Sequence, residues 1–393
     1  MSIIRLGGLS RRLGGRAMHP SIRGRSFSRG GAIALPPWLA SAGVNEWIAV
    51  SGTTAPSNLG DFSGIAVRDD SAGVQIYSAL GGGHSGNNTD NSVKVLQLNT
   101  AAPAWSTLRS ASSTAGSDLT GAQAYYTSDG RPMPRHLYSS AWWIPERSEA
   151  GFGGIFWGSA GSGNFPYFDL FSPGSNDWEL PTPIDDTPTG AGGNRVLLSA
   201  RDPSTGYLYA TQRSDAAVMK QLDPSGSGTW SDITLSGASC GSGGNAFDTA
   251  RGKIFQFSCD DWFFNNTTGT PFCVQIALGG ARTAIALNSS AGKSDMLADI
   301  NQWTTPSTIY DPQGDCFYVY NGATGSLSSS AATKVYKITP NGTSTWDIAL
   351  LSVTGVTPDA HANGVMNRFF YVPRWRCVVL VVPGANVYAM RVA

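Results

Sequence analysis

The chain has 393 residues, with 27 basic and 27 acidic side chains that cancel at neutral pH, and only 14% charged against 41% hydrophobic residues. Its 48 glycines, 12 Trp, 13 Tyr and 16 Phe exclude a disordered chain, whose mark is low hydrophobicity with high net charge. No apolar run approaches the ~20 residues that span a bilayer as a helix, so a soluble, mostly β protein of short strands and glycine turns is expected.

The charge is unevenly placed. Residues 1–45 carry Arg5, Arg11, Arg12, Arg16, Arg23, Arg25 and Arg29 and no acid, which leaves 20 basic and 27 acidic residues beyond them. Such a basic arm on an acidic body is an interaction signal. It lacks the continuous apolar stretch of a secretory signal. The same composition also fits an organelle transit peptide or a solvated tail. Docking into an acidic groove of a partner protein is the preferred use, because arginine pairs bidentately with carboxylates. Nucleic acid is not expected as a partner, since the acidic body would oppose phosphate binding.

After Pro36-Pro37-Trp38 the run Glu46-Trp47-Ile48-Ala49-Val50 reads as an isolated strand. Next come Gly64–Arg68, Val74–Tyr77, Val93–Leu98 and Trp105–Leu108, four short strands in which Val93 and Val95 alternate with Lys94 and Gln97 in a half-buried pattern. A turn signature then recurs. Tyr310-Asp-Pro-Gln-Gly314-Asp-Cys-Phe-Tyr-Val-Tyr320 and Arg201-Asp-Pro-Ser-Thr-Gly206-Tyr-Leu-Tyr209 are its clearest copies. Asp248 to Gly252 and Asp69 to Gly73 keep the Asp and the Gly, and Pro145 and Pro373 keep the Pro. The proline presets φ and the carboxylate bonds nearby backbone N–H groups. Six such hairpins, roughly 45 to 75 residues apart, indicate a repeat architecture.

The order of hydrophobic strand, glycine cluster (Gly81-Gly82-Gly83-His84), the Val93-x-Val95-x-x-Leu98 strand and then Trp105 resembles a blade of a kelch-type β-propeller. Trp178, Trp230 and Trp346 mark the same position later, and Asp129-Gly-Arg-Pro132 with Arg135-His-Leu-Tyr-Ser139 is similar to the same repeat. The resemblance spans residues 46–393 and departs most around Phe263 to Leu287, where the tryptophan is absent. It implies an all-β, six-bladed propeller of four-stranded antiparallel blades, preceded by the extended arm of residues 1–45. The last blade, ending in Asn386–Arg391, is one strand short, and Glu46–Val50 is expected to complete it and protect both edges.

In that arrangement the Asp-Pro-x-x-Gly turns share one face and are structural. Function is then sought on the opposite face, where His84, Arg135, His136 and His361 fall, with Asn367 and Arg368 approaching the central channel. These six are the expected ligand-binding residues. No catalytic set, metal or cofactor is expected. Gly237-x-Ser239-x-Gly241 matches a nucleophile-elbow pattern, but it precedes a strand in a glycine-rich loop, where that motif has no meaning. Asp223-Pro-Ser-Gly-Ser-Gly228 resembles a sialidase Asp-box, itself a structural turn, and the paired carboxylates of a glycosidase cannot be assembled from one face. Asn87, Asn265, Asn288 and Asn341 head glycosylation sequons that matter only in a secreted eukaryotic chain. The five cysteines are spread without a C-x-x-C pair, which argues for buried apolar residues, a Cys259–Cys273 bridge being the alternative. The expected role is a bacteriophage virion component (tail, baseplate, fibre or decoration protein) that is held by its arm and binds host-surface glycan. The alternatives are a carbohydrate-active or oxidising enzyme on the same fold and an intracellular kelch adaptor; outside a virion the chain would be soluble, in no assigned compartment.

Overall fold

In the computed structural model the described residues are 34–56, 58–60, 63–81, 90–113, 126–135, 137–153, 168–179, 198–211, 218–226, 228–238, 243–258, 272–299, 306–321, 334–360 and 365–393. The seven arginines of the arm, His84, His136, His361, Cys240 and Cys259 lie outside them, as do the sequons at Asn87 and Asn265 and residues 239–241 of the elbow-like motif.

Strand Glu46–Val50 (β1) precedes a series of four-stranded antiparallel sheets. The first holds Ala66–Asp70, Gly73–Ser78, Val93–Gln97 and Trp105–Arg109 (β2–β5). The second holds Ala141–Ile144, Glu149–Phe152, Asp169–Ser172 and Asp177–Glu179 (β6–β9), and the third Leu198–Arg201, Leu208–Thr211, Val218–Leu222 and Trp230–Thr234 (β10–β13). After Ser236–Gly237 (β14) the fourth is Gly243–Asp248, Lys253–Ser258, Phe272–Ala277 and Ala281–Leu287 (β15–β18). The fifth is Ser307–Asp311, Cys316–Asn321, Lys334–Thr339 and Thr345–Leu350 (β19–β22), joined to the fourth where β18 runs parallel to β22. The sixth takes Thr354–Gly355 (β23), Phe369–Val372, Cys377–Val381 and Val387–Arg391 (β24–β26), with β1 inserted between β23 and β26. Trp47 faces Met390 and Val50 faces Val387 in that antiparallel pairing. This is an all-β, propeller-like fold.

Each sheet is buried on both faces, which is why β6, β7, β19 and β25 have no exposed residue. An apolar cluster fills each sheet-to-sheet gap. Tyr77, Val95 and Trp143 lie between the first and second sheets, Phe168 and Leu208 between second and third, and Tyr209 and Ile254 between third and fourth. Phe255, Phe317 and Trp346 stack between fourth and fifth, and Tyr320 and Phe369 between fifth and sixth. Val379 and Val387 of the sixth sheet pack with Val74 and Ile76 of the first. Two elements escape the sequence pattern. Pro37–Ala40 (α1) is a single helical turn, and Ala291–Asp299 (α2) is a helix tied to the fifth sheet by Asp295, which accepts from Lys334 and Tyr336. Residues 34–45, grouped with the arm by composition, pack on the body: Leu39 is fully buried and Trp38 meets Trp375 edge-on at 5.7 Å.

The recurrent turns are built as their chemistry dictates. Asp70, Asp202, Asp248 and Asp311 each accept the backbone N–H two residues on, at 2.8–3.1 Å. In Asp311–Cys316 the left-handed residue is Asp315 (φ 43°), not Gly314. Gly314 is required for another reason, since a Cβ there would sit 2.8 Å from the Asp311 carboxylate. These turns also tie sheet to sheet. Arg201 reaches Glu146 at 2.6 Å, Arg374 reaches Asp69 at 2.5 Å, and Gln313 donates to the Pro373 carbonyl. Arg251 forks onto both oxygens of Asp315 at 2.8 Å while also bonding Asp248. The Arg251 guanidinium holds the Asp315 carboxyl below its ordinary range.

Candidate functional site

The first strands of all six sheets meet around one cavity of about 370 Å³. β2 contributes Ile65, Val67 and Asp69 from its length and approach; β6 contributes Ala141, Trp142 and Trp143. Ser199 and Arg201 come from β10, Asn245 from β15, Thr308 and Ile309 from β19, and Phe369 and Phe370 from β24. The volume falls within the ~300–1,000 Å³ of small-molecule sites, and an apolar wall with a few convergent polar groups is their usual make-up.

At one end of the cavity, short polar side chains satisfy the edge groups of neighbouring first strands. Ser199 donates to the Ser139 carbonyl and Ser307 to the Phe369 carbonyl. Asn367 does more. Its Oδ1 accepts from Ile65 N–H, and its Nδ2 donates to the carbonyls of Ile65 and Ala141, so it spans the sixth, first and second sheets. At the other end both charged lining residues are paired, Asp69 with Arg374 and Arg201 with Glu146. Burial pushes the Asp69 carboxyl up, and Arg374 acts in the opposite direction. The Trp143 ring is fixed by parallel stacking on Tyr77 at 5.5 Å and by the Arg68 guanidinium 4.8 Å from its centroid.

The residues singled out in the sequence divide accordingly. Asn367 lines the cavity, with both amide hydrogens already engaged. Arg368, next to it, is 1% exposed and bonds the Gly60 carbonyl. Arg135 is buried away from the cavity: its Nη2 meets Asp169 at 2.5 Å and the Phe152 carbonyl at 2.8 Å. Its backbone joins the strand edge at Leu80 and Gly81. His84, His136 and His361 fall outside the described residues. Among the described residues no group of three His, Cys, Asp or Glu is placed to hold a metal ion, and Cys273, Cys316 and Cys377 are buried and free.

Asp69, Trp143, Arg201, Asn245 and Thr308 were not among the expected ligand-binding residues. A signal existed, because each lies on the strand that leads into a recurrent turn, and in a repeat of this kind that strand is the one at the centre.

The class defined by these sheets, a propeller-like all-β protein, is also what comparison with solved structures returns. An α-L-arabinanase of Penicillium chrysogenum, solved with arabinobiose, aligns over 88% of this chain and 97% of its own at TM-score 0.50 and 12% identity. An α-L-arabinofuranosidase of Fusarium graminearum, solved with an iminosugar inhibitor, aligns over 87% and 97% at TM-score 0.52 and 10% identity. At such identities the likeness is one of fold alone. No protein-family profile matches the chain, the kelch repeat included, and no curated protein sequence matches it.

Proposed function

We propose that this protein is a carbohydrate-recognising β-propeller of six blades, closed by β1, that binds a saccharide at the central cavity. The observation that carries the reading is the cavity itself, where first strands from six sheets bring Trp142, Trp143, Phe369 and Phe370 together with Ser, Thr and Asn side chains. Aromatic faces and short hydroxyl or amide groups are the pairing that suits a sugar, which has apolar C–H faces and a rim of hydroxyls. The apolar packing of the sixth sheet on the first and the β1–β26 ladder support closure of the ring. The alignment with two arabinose-directed enzymes over nearly their whole length supports carbohydrate as the ligand class. Recognition is favoured over hydrolysis because glycosidases work with two carboxyl groups about 5–10 Å apart. Among the described lining residues the cavity presents one, Asp69, and Arg374 engages it.

Titration calorimetry of the full chain against neutral and acidic oligosaccharides, arabino-oligosaccharides included, is expected to give saturable binding. Release of reducing ends from the same panel would move the reading from recognition to turnover, and no binding across the panel would overturn it. Display from a phage particle through residues 1–45 belongs to this proposal as its finer part and rests on the arginine-rich composition of that segment. A chain lacking residues 1–33, which removes all seven arginines and keeps the packed Trp38 and Leu39, is expected to lose incorporation into its assembly while the body still folds; undiminished incorporation would remove that part alone.

A further inference from the structure

The link between β21 and β22 carries Asn341-Gly342, and both residues are exposed. Among the described residues this is the one Asn-Gly pair. Gly342 sits in the left-handed region (φ 84°), and a Cβ built on it would meet nothing within 4 Å, so the space around the pair is open. Asn341 Nδ2 donates to Asp347 at 3.1 Å. The other oxygen of the same carboxylate accepts from Nδ2 of Asn288, the residue that follows β18. Asp347 thus clasps one amide from the end of the fourth sheet and one from the fifth. The clasp lies on the strap where β18 runs beside β22. There Ala286 N–H donates to the Ser344 carbonyl at 2.8 Å and Asn288 N–H to the Trp346 carbonyl at 2.9 Å.

We infer that Asn341 is a self-modifying position: its side-chain amide is lost through a cyclic imide with Gly342, and the product releases Asp347 and loosens the strap. The Gly342 backbone nitrogen, having given up its proton, attacks Cγ of Asn341. A new C–N bond forms, the bond from Cγ to Nδ2 breaks, and ammonia leaves with the proton returned. Water then opens either C–N bond of the imide. One opening gives aspartate, and the other reroutes the main chain through Cγ as isoaspartate. The net change is one water consumed and one ammonia released, with no oxidant or cofactor. Glycine matters at the second position because it carries no side chain to crowd the attacking nitrogen and its backbone is permissive. The bond to Asp347 engages the leaving nitrogen, not the attacked carbon, and an exposed hydrogen bond is exchanged for water at little cost. Asn99 and Asn176 are also exposed but are followed by Thr100 and Asp177, whereas Asn58 and Asn91 are buried and hydrogen-bonded. What faces the product gives it an effect. An ionised carboxylate cannot donate, so aspartate at position 341 loses the bond to Asp347 and sets two like charges against each other.

The test incubates the full chain in mildly alkaline and in mildly acidic buffer and maps it by peptide mass spectrometry, with isoaspartyl methyltransferase labelling for the rerouted product. The peptide holding Asn341 is expected to convert several times faster than those holding Asn99 and Asn176. It should convert faster in the alkaline buffer, where the attacking nitrogen loses its proton more readily. Asn341→Gln, whose longer side chain closes a less favoured ring, should stop conversion at this position. Conversion at Asn341 no faster than at Asn99 and Asn176 would overturn the modification. Asn341→Asp supplies the aspartate product in every molecule. Hydrogen exchange at the Ala286 and Asn288 amides is expected to run about two- to fivefold faster in this variant than in the wild type, the scale of one exposed charged contact, with β10–β13 unchanged. Unchanged exchange at both amides would overturn the link from modification to strap.

Discussion

Replacing Asp169 with alanine is expected to lower the unfolding free energy by about 3–5 kcal/mol, the range for breaking a buried ion pair from one side. Asp169 is fully buried and Arg135 is nearly so, with side-chain exposures of 0% and 2%. The carboxylate also accepts the Tyr126 hydroxyl at 3.0 Å. Its removal takes the carboxylate partner from a buried guanidinium and an acceptor from that phenol. Against a total stability of about 5–15 kcal/mol, this is roughly a fifth or more. Urea denaturation reads it as a fall in midpoint at unchanged slope. The double change Arg135→Met with Asp169→Leu should recover most of the loss, since apolar residues of similar volume commonly replace such a pair at little cost. A loss below about 1 kcal/mol for Asp169→Ala, the range of an exposed pair, would show that the charge finds water on its own.

The same pair explains why Arg135 is a poor probe of ligand binding. It joins the segment after residue 126 to the second sheet and to the edge of the first through its side chain and backbone. Substituting it would weaken binding anywhere on the molecule by unfolding its support. A sequence motif shows an arginine's type and neighbours but not whether a carboxylate 34 residues away has already claimed it.

What was legible followed locality. The turns from Asp202 to Gly206 and from Asp311 to Asp315 are closed by residues within five positions of one another, so their chemistry is written contiguously. The strand at Glu46–Val50 was legible for a different reason: it was a strand with no hairpin partner, and the chain's last hairpin lacked a neighbour. The pairs β14–β18 and β1–β23 are two residues long, below what any periodic pattern can signal. The cavity was illegible because its wall is assembled from one to three residues of each of six strands spread from Ile65 to Phe370, and no short-range spacing relates one strand's residues to the next's. Charge neutrality at the site is a pairwise property, visible only once Asp69 is seen against Arg374 and Arg201 against Glu146.

Trp47 lies where β1 joins the sixth sheet, and Trp47→Ala is expected to cost about 3–5 kcal/mol, the range for truncating a buried aromatic. The side chain is 1% exposed and packs with Tyr320 of the fifth sheet and with Val378 and Met390 of the sixth. Its backbone carbonyl accepts Val356 N–H at 2.9 Å, next to Gly355, where a Cβ would lie 2.1 Å from that same oxygen. One residue near the start of the body therefore contacts strands from near its end and from the link between the fifth and sixth sheets. The indole N–H has no partner, so the contribution is packing, and Trp47→Phe should retain most of it. Equal losses in the two variants would contradict that. Amide hydrogen exchange over Val387–Arg391 tests the larger role. If β1 is what covers the outer edge of β26, the Trp47→Ala chain should lose protection there before it loses protection over β10–β13. Uniform loss across the molecule would mean that the terminal strand does not hold this edge independently of the global fold.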